Sequence, residues 1–352
     1  MTTGFANQPA PAQASTASTY DGFYFRDNLA STGTIPAVSP FNQSPDIIQS
    51  SVPVPNPTVA FSTIDSWKQA YPTEPTPGQN YYYLRGLNGS LEAFDGSVRL
   101  YWAPSQLILF PSSWKNNPLT TQKGLEDASV QADAGHIGVG AQPFLLNTGS
   151  ERLPSAESFY AFVSQNTASA IPTVSSWLEM SQLLTQQLGF GFRNMVSFDP
   201  VEGAMLYRLG FDIPMSVGES ATLQIGVSVQ GIPAGDTIGL ITDCYTPEMT
   251  SIALLPTKTN GNGYVAGIQV NVDPGFNASI AIQYWNTSGK VPPAGSQITV
   301  TANYVIPEDK FEKALTLGVL DSRYAQAATS DGIGPQQIAP VGSVTFVTTQ
   351  AS

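Results

Sequence analysis

The residue types that most often carry out catalysis are scarce in this 352-residue chain. Cys244 is the only cysteine and His136 is the only histidine. One cysteine cannot form an intrachain disulfide or a cysteine-based metal cluster, and one histidine cannot form a multi-histidine zinc site. Cys244 lies in a strand-like run, where a small buried hydrophobe is expected. His136 lies in a glycine-rich loop that enters a strand, so the sequence argues against a histidine-based proton relay.

Carboxylates could act as a general acid and a general base, but only if two of them face each other across a cleft. Glu151, Glu157, Glu308 and Asp309 offer scattered carboxylates, but nothing in the sequence places two of them across a cleft. The sequence therefore predicts no enzyme, no catalytic residue and no cofactor.

Three acidic residues near the N-terminus are candidates for calcium binding. Asp21, Asp27 and Asp46 could gather around a Ca²⁺ ion, because hard cations take carboxylate and carbonyl oxygens. No loop shows the dense Asp-x-Asp-x-Asp-Gly spacing, so turn chemistry is preferred. Arg26 and Asp27 could pair, or Asp27 could cap a turn while Asn28 adopts a left-handed conformation. Asp46 follows a proline and suits an Asx-type turn.

Aromatic residues offer a second kind of chemistry, the stacking of flat rings on sugars. The candidates for carbohydrate binding are Tyr81, Tyr83, Trp102, Trp114 and Trp285. The alternative is that alternate aromatic residues on these strands fill the interior of a β-sandwich, and this is the preferred interpretation. The outward-facing members of the tyrosine run would be the exceptions.

Composition limits the classes of partner. Only 11% of residues are charged, against a usual level of about 25%, and 14 basic against 26 acidic residues give a formal charge of −12. This acidic balance argues against a nucleic-acid partner, which needs clustered Lys and Arg. No run of 18 apolar residues predicts a membrane span. The Met1–Thr19 segment has neither the charged start nor the apolar core of a Sec signal peptide.

The elements that would position these residues are almost all β-strands. Two aromatic and β-branched runs, Tyr81–Leu87 and Ser97–Ala103, are separated by Asn-Gly and Asp-Gly dipeptides, which is typical of paired strands. Further strands are predicted over 106–110, 143–146 and 159–163. One helix is predicted after Pro172, with Thr173 as its N-cap and Gly189 at its end.

The second half predicts another antiparallel sandwich, because eight strand-like runs alternate with turns rich in Pro, Gly and Asn. A short helix is predicted from 308, and a final strand-like run covers 341–349. This last run could fold back on its own domain or add to the sheet edge of a neighbouring copy. The predicted strands are 193–198, 205–213, 221–229, 237–245, 251–255, 264–272, 279–285 and 297–306.

Several short motifs occur in order along the first half. They are Phe25–Asn28, Thr32–Pro36, Ser44–Ile47, Tyr81–Arg85, Val98–Trp114, Ile137–Leu146 and Arg193–Val196. Over residues 23–200 the chain resembles a poorly characterised bacterial family of CARDB-like, immunoglobulin-type β-sandwich proteins. The resemblance implies an adhesive or assembly domain on an exported protein, without catalytic residues or a cofactor. The chain departs from the family pattern over 151–189, which is longer and more helical.

Together these observations predict an all-β protein with two antiparallel sandwiches, immunoglobulin-like or jelly-roll-like, and one or two short helices. The predicted organisation is a docking arm (1–20), two sandwich domains (21–190 and 191–307), and a C-terminal helix with an extended arm (308–352). The preferred function is a non-enzymatic structural protein that associates with copies of itself or other subunits through edge strands and arms, chiefly 1–20 and 330–350.

Two alternatives stay open: a carbohydrate- or surface-binding adhesive module that recognises surface glycans, and a viral jelly-roll capsid subunit. In each case the expected location is extracellular or particle-associated, without a Sec signal peptide, and cytoplasmic before assembly or export.

Overall fold

The fold was analysed in a computed structural model, which describes residues 17–71, 75–148, 160–198, 204–245, 251–320, 325–326 and 336–349. Strands dominate, most of them antiparallel, and the helices are few and short. The predicted all-β sandwich class is confirmed. The predicted N-terminal arm over 1–20 lies almost wholly outside the described residues.

Twelve strands lie in the first half of the described chain. They are β1 (Ser18–Thr19), β2 (Phe23–Tyr24), β3 (Thr34–Ile35), β4 (Ile47–Ser50), β5 (Gln79–Asn88), β6 (Phe94–Pro104), β7 (Thr120–Thr121), β8 (Ala128–Ala132), β9 (Ile137–Val139), β10 (Phe144–Asn147), β11 (Tyr160–Asn166) and β12 (Phe190–Arg193). The predicted strand over 106–110 is wrong: these residues form a buried irregular segment in which only Gln106 makes a β-bridge.

Ten strands follow in the second half of the described chain. They are β13 (Met195–Phe198), β14 (Ala204–Asp212), β15 (Ala221–Gln230), β16 (Thr237–Tyr245), β17 (Ser251–Lys258), β18 (Gly263–Val272), β19 (Asn277–Trp285), β20 (Gln297–Val305), β21 (Ala325–Gln326) and β22 (Gln336–Thr348). Alternation of apolar and polar residues made strands such as β14 and β19 predictable from sequence, because one face of each is more deeply buried than the other.

The helices are α1 (Pro57–Ala60), α2 (Ile64–Trp67), α3 (Pro111–Trp114), α4 (Trp177–Gln186) and α5 (Phe311–Thr316), with 3₁₀ turns at Met215–Val217 and Glu308–Lys310. α4 begins later than the predicted N-cap at Thr173 would allow. The N-cap is Ser176, whose hydroxyl accepts from the N–H of Glu179, while the Glu179 carboxylate accepts from the N–H of Ser175 at 2.7 Å. This reciprocal capping fixes the start of the helix.

The first sandwich packs two sheets around an aromatic core. One sheet has the strand order β2-β5-β10-β7, with β4 and β9 also paired to β5, and the other has the order β12-β11-β6-β8. Tyr82 and Phe162 meet between the sheets with ring centroids 4.4 Å apart. Leu84, Val98 and Leu100 are buried beside them.

The second sandwich is built from the sheets β13-β22-β20-β15-β18 and β14-β19-β16-β17. The chain passes from the first sandwich to the second at Asn194, because β12 pairs with β11 and β13 pairs with β22. The predicted domain boundary at 190/191 therefore falls at the start of β12. The β13–β22 pair is parallel, whereas the other ladders of this sandwich are antiparallel.

The C-terminal strand departs from the predicted arm. β22 lies between β13 and β20 inside its own sheet, and its inward side chains, such as Val344 and Phe346, are buried. The predicted strand over 341–349 therefore folds back on its own domain and does not add to the sheet of a neighbouring copy. Removing 330–352 would therefore take an inner strand out of the sheet, so the truncated chain is not expected to fold as a free-standing monomer.

The hydrophobic core of the second sandwich extends into the first half, beside the separate core between the two sheets of the first sandwich. Trp177, at the start of α4, is fully buried between the two halves: its ring lies 5.9 Å from that of Phe110 and 6.1 Å from that of Tyr304, measured between centroids. The indole N–H donates to the carbonyl of Glu219 at 3.1 Å. α4 thus packs both halves into one body.

The backbone of the first half approaches Gly342 so closely that a side chain would not fit there. A Cβ atom at this position would overlap the carbonyl oxygen of Leu107 and lie 2.9 Å from the Cα of Ile108. Both neighbours are backbone atoms of the first half, so they cannot move independently. We expect Gly342→Ala to lower the free energy of unfolding by about 1 to 3 kcal/mol in urea titrations.

Gly140→Ala is the matched control, because a Cβ at Gly140 would meet its nearest neighbours at 3.5 Å, an ordinary contact. The two variants should differ clearly in unfolding midpoint. Equal stabilities would show that the contact between β22 and the first half is not tight.

Candidate functional site

A concentrated group of charges lies around the carboxylate of Asp46, between β5 and the segment that contains α2. Asp46 accepts hydrogen bonds from the backbone N–H (2.8 Å), Nε (3.1 Å) and a terminal nitrogen (2.6 Å) of Arg26. It also accepts from Nε of Arg85 at 3.0 Å. All three side chains are buried. One carboxylate therefore compensates two buried guanidinium groups, with geometry that uses both of its oxygens.

The remaining donors of the two arginines hold the short helix α2 and the residues after it. Arg26 donates to the carbonyl of Trp67 at 2.8 Å, and Arg85 donates to the carbonyls of Ser66 (2.6 Å) and Gln69 (3.0 Å). The guanidinium carbon of Arg26 lies 3.3 Å from the centroid of the Trp67 ring, in cation–π contact. These carbonyls at the end of a helix have no intrahelical partner and favour cations.

Desolvation dominates the electrostatics of the network. Burial lowers the pKa of Arg85 from its ordinary value, and the adjacent Asp46 carboxylate opposes this shift. The guanidinium nitrogens donate to Asp46 and to backbone carbonyls, and all three side chains are buried. These contacts can therefore tether segments of the chain, but they do not present a charge to a substrate. We name Arg26, Asp46 and Arg85 the Asp46 network.

Asp27 lies next to this network and behaves differently. It is almost completely buried, and its Oδ2 atom has no hydrogen-bond partner among the described residues. Burial, followed by the negative charge of Asp46, raises the pKa of Asp27 well above its ordinary value. The neutral, protonated form is therefore favoured in the folded protein.

The turn residues predicted from the motif come together, but in a different way. Arg26 pairs with Asp46 rather than with Asp27, and the two Asp46 oxygens accept from arginines instead of closing an Asx turn. Asn28 closes the Asx turn: its Oδ1 accepts from the N–H of Ala30 at 2.9 Å. Asn28 is not left-handed, since Asn56 is the residue other than glycine with positive φ in the described chain.

The predicted aromatic residues do not converge on one surface. Trp114 and Tyr83 are buried in the core, where the Trp114 indole donates to the carbonyl of Leu109 and the Tyr83 hydroxyl accepts from the N–H of Val54. Their rings have no face to offer a ligand in this fold. Tyr81, Trp102 and Trp285 are partly exposed, the first two on the first sandwich and Trp285 on the second.

Trp285 belongs to an apolar surface that the sequence pattern did not predict. It projects from the outer side of the four-stranded sheet β14-β19-β16-β17 and passes over Gly239, whose Cβ would lie 3.5 Å from the indole. On the same side, Leu206 is 50% exposed, Ile241 is 40% exposed and Leu255 is 77% exposed. We name Leu206, Ile241, Leu255 and Trp285 the apolar face.

A polar seam joins the two sandwiches on the opposite side of the second sandwich. The side chain of Asn194 donates to the carbonyls of Gln106 (2.7 Å) and Ser343 (3.0 Å). The side chain of Asn42 donates to the carbonyl of Asn194 (2.9 Å) and to the hydroxyl of Thr345 (3.1 Å). These bonds connect four parts of the chain that are far apart in sequence, and sequence reasoning did not predict them.

The other candidates for chemistry stay apart. Among the described residues no group of three His, Cys, Asp or Glu side chains could hold a metal ion, and the oxygens of Asp46 are taken by arginines. His136 is exposed, with Nδ1 2.9 Å from the carbonyl of Ala134. Glu151, Glu157 and the side chain of Cys244 lie outside the described residues. None of the helices in the described part of the chain has the length and apolar character needed to span a membrane.

Comparison with known proteins gives no family. No family model and no curated protein sequence matches the chain. Among solved structures, the CupB6 tip adhesin from Pseudomonas aeruginosa is 10% identical, with 79% of this chain and 92% of that chain covered and a TM-score of 0.19. The red sea bream transglutaminase is 8% identical, with 82% and 33% covered and a TM-score of 0.17.

An anti-sigma factor domain-containing protein is 12% identical, with 80% of this chain and 94% of that chain covered and a TM-score of 0.18. At such TM-scores these likenesses establish neither a shared topology nor a function.

Neutralising the carboxylate of the Asp46 network should cause a large loss of stability. We expect Asp46→Asn to lower the free energy of unfolding by about 3 to 5 kcal/mol, because two buried guanidinium groups lose their counter-charge. The matched control is Asp127→Asn, which breaks a partly exposed pair with Arg99 and should cost less than about 1 kcal/mol. Urea unfolding of both variants measures the difference. Similar losses would mean that the buried charges are not coupled.

The raised pKa of Asp27 should make the free energy of unfolding depend on pH. Because its pKa is raised in the folded state, the folded protein binds the proton more tightly than the unfolded chain. Stability should therefore fall as pH rises above the ordinary carboxyl value of 3.8, with each unit of raised pKa worth about 1.4 kcal/mol.

Asp27→Asn should remove this contribution. Relative to the wild type, the variant should gain stability at about pH 8, and the gain should shrink toward about pH 4. Thermal unfolding of both proteins across this range is the measurement. A gain that does not change with pH would contradict the assignment.

Proposed function

We propose that the protein is a non-enzymatic structural subunit that associates with copies of itself through the apolar face. The single observation that supports this most directly is the exposure of Leu206, Ile241 and Leu255 on one side of one sheet. The outer side of an antiparallel sheet is normally polar where it meets water. Contiguous apolar residues on such a surface mark interaction sites.

The shape of the surface suits a packed interface. The three residues come from three different strands, β14, β16 and β17, so they spread across the sheet instead of following one strand. β14 and β17 are the edges of this sheet, and the β14 edge is bridged by Gln106 from the first half. A flat apolar area backed by a rigid sheet loses little conformational entropy when a partner binds.

Charge makes the apolar residues the main source of affinity. Two copies that each carry a formal charge of −12 repel each other at long range. Arg208, on the same side as Leu206, and Lys258, which pairs in register with Thr237 beside Trp285, reduce this repulsion locally. The apolar residues would supply most of the affinity, and salt, which screens the repulsion, should strengthen association.

Other features agree with a structural role. The Asp46 network and the seam at Asn194 use polar side chains to tether segments of the chain. The resemblance of residues 23–200 to CARDB-like bacterial sandwich proteins favours an adhesive or assembly role. The expected location is extracellular or particle-associated. The C-terminal strand is not a contact arm in this proposal, since β22 completes its own sheet.

Association should depend on the apolar face. We expect the wild type to self-associate in sedimentation velocity runs from about 1 to 100 μM, and the double variant Ile241→Asp/Leu255→Asp to raise the dissociation constant about a hundredfold. That figure corresponds to about 1.4 kcal/mol for each of the two apolar side chains that the variant replaces.

Leu91→Asp is the matched control, because Leu91 is 96% exposed and lies between β5 and β6, away from the apolar face. It should associate like the wild type. A wild type that stays monomeric at about 100 μM, or a double variant that associates normally, would exclude this interface.

A further inference from the structure

A cleft of about 170 Å³ opens where the two sandwiches meet. The first half contributes Gln43, Tyr71 and Arg193, and the second sandwich contributes Gln297. Apolar side chains, among them Val347, complete the walls. A concave site with apolar walls and a few converging polar groups is the usual form of a small-ligand site.

The polar groups of the cleft are held in place before any ligand arrives. The side-chain N–H₂ of Gln43 donates to Oε1 of Gln297 at 3.0 Å and to the hydroxyl of Thr345 at 3.0 Å. A guanidinium nitrogen of Arg193 donates to the carbonyl of Ile47 at 2.6 Å. A glutamine amide offers two donors and two acceptor lone pairs, so the Gln43–Gln297 contact does not exhaust the pair. Fixed side chains lose little entropy on binding.

The cleft continues onto the outer side of the sheet β13-β22-β20-β15-β18. Gln297, Thr299 and Thr301 alternate along β20, and their inward neighbours Ile298 and Val300 are buried. Gln297 and Thr301 are partly exposed, whereas Thr299 is 9% exposed and its hydroxyl is hydrogen-bonded to that of Thr345 at 3.1 Å. The outward residues of β20 therefore form a polar row that starts inside the cleft and leads away from it.

The row leads across β15 to an exposed aromatic ring. Ser228 of β15 pairs in register with both Thr299 of β20 and Tyr264 of β18. Tyr264 is 59% exposed, although it lies within a sheet. Neighbouring strands are about 4.8 Å apart, so β20 and β18 are separated by about 10 Å.

Glycines set the orientation of this ring. A Cβ at Gly226 would lie 3.1 Å from Cε2 of Tyr264, and a Cβ at Gly267 would overlap the Tyr264 hydroxyl. Gly226 and Gly267 are paired in register, so two adjacent strands leave a bare strip of backbone beneath the ring. The ring lies along the sheet, with one face covering the glycines and the other turned to solvent.

The chemistry of this surface indicates its ligand. The outward residues that border Tyr264 and lead to the cleft are amides and hydroxyls, namely Ser228, Gln269, Gln297, Thr299 and Thr301. None of these five residues is charged; the charged group at the cleft end is the guanidinium of Arg193, which donates to the carbonyl of Ile47. Sugars present apolar C–H faces that stack on aromatic rings and hydroxyls that exchange hydrogen bonds with amides. A neutral surface matches a neutral ligand.

We propose that the cleft, the outward row of β20 and Tyr264 form one groove that binds a neutral oligosaccharide. One sugar unit stacks on the open face of Tyr264, and the chain runs past Ser228 to the amide pair of Gln43 and Gln297. This groove lies on the sheet β13-β22-β20-β15-β18, whereas the apolar face lies on the sheet β14-β19-β16-β17. Binding is therefore independent of the proposed self-association.

The test uses the full-length protein and a panel of linear neutral oligosaccharides built from glucose, mannose, galactose or N-acetylglucosamine. Array screening followed by calorimetry should give a dissociation constant below about 1 mM for at least one of them. Tyr264→Ala should weaken that binding about tenfold, the loss expected when one aromatic ring is removed. Tyr264→Phe keeps the ring and should retain most of the affinity.

Two further variants, Gln297→Ala in the cleft and Trp102→Ala outside the groove, test where the ligand binds. Gln297→Ala alters the cleft end and should weaken binding without disturbing the ring. Trp102→Ala removes a partly exposed aromatic residue of the first sandwich and should bind like the wild type. Silence of every neutral oligosaccharide, binding of charged glycans alone, or loss of binding in Trp102→Ala but not in Tyr264→Ala would each overturn the proposal.

Discussion

The architecture depends on the insertion of the last strand, β22, between β13 and β20. β13 follows the first sandwich directly along the chain, so β22 joins the end of the chain to the strand that leaves the first sandwich. Gly342, within β22, lets the backbone of Leu107 and Ile108 approach closely. One strand thus completes a sheet, closes the shared core and builds the seam on which the cleft depends.

The Asp46 network shows how a small sandwich holds an irregular segment. The residues between β4 and β5 bury little apolar surface, so the two arginines fix the backbone carbonyls of α2 instead. A buried ion network of this kind costs desolvation and gives modest net stability, but it allows one arrangement of the chain. Burial and the nearby Asp46 carboxylate raise the pKa of Asp27 beside it, which couples this corner of the fold to pH.

Local signals in the sequence determined most of the strands. Thr237–Tyr245 has the predicted bounds, and Ala221–Gln230 differs from the prediction by one residue, because apolar and polar residues alternate with the two-residue period of a half-buried strand. The segment over 106–110 misled this reasoning: its apolar residues are buried in the shared core without pairing as a strand. The same ambiguity affected the aromatic candidates, since period alone does not tell whether Trp114 faces the core or solvent.

The sequence by itself determined the all-β class and the sparse charge, because these follow from composition and short-range pattern. Only the tertiary structure decided that Arg26 pairs with Asp46 and Arg85, that β22 is an inner strand, and that Tyr264 lies over Gly226 and Gly267. Each of these depends on which strands become neighbours. Strand pairing joins residues far apart in the chain, and the energy that selects it comes from packing rather than from local preference.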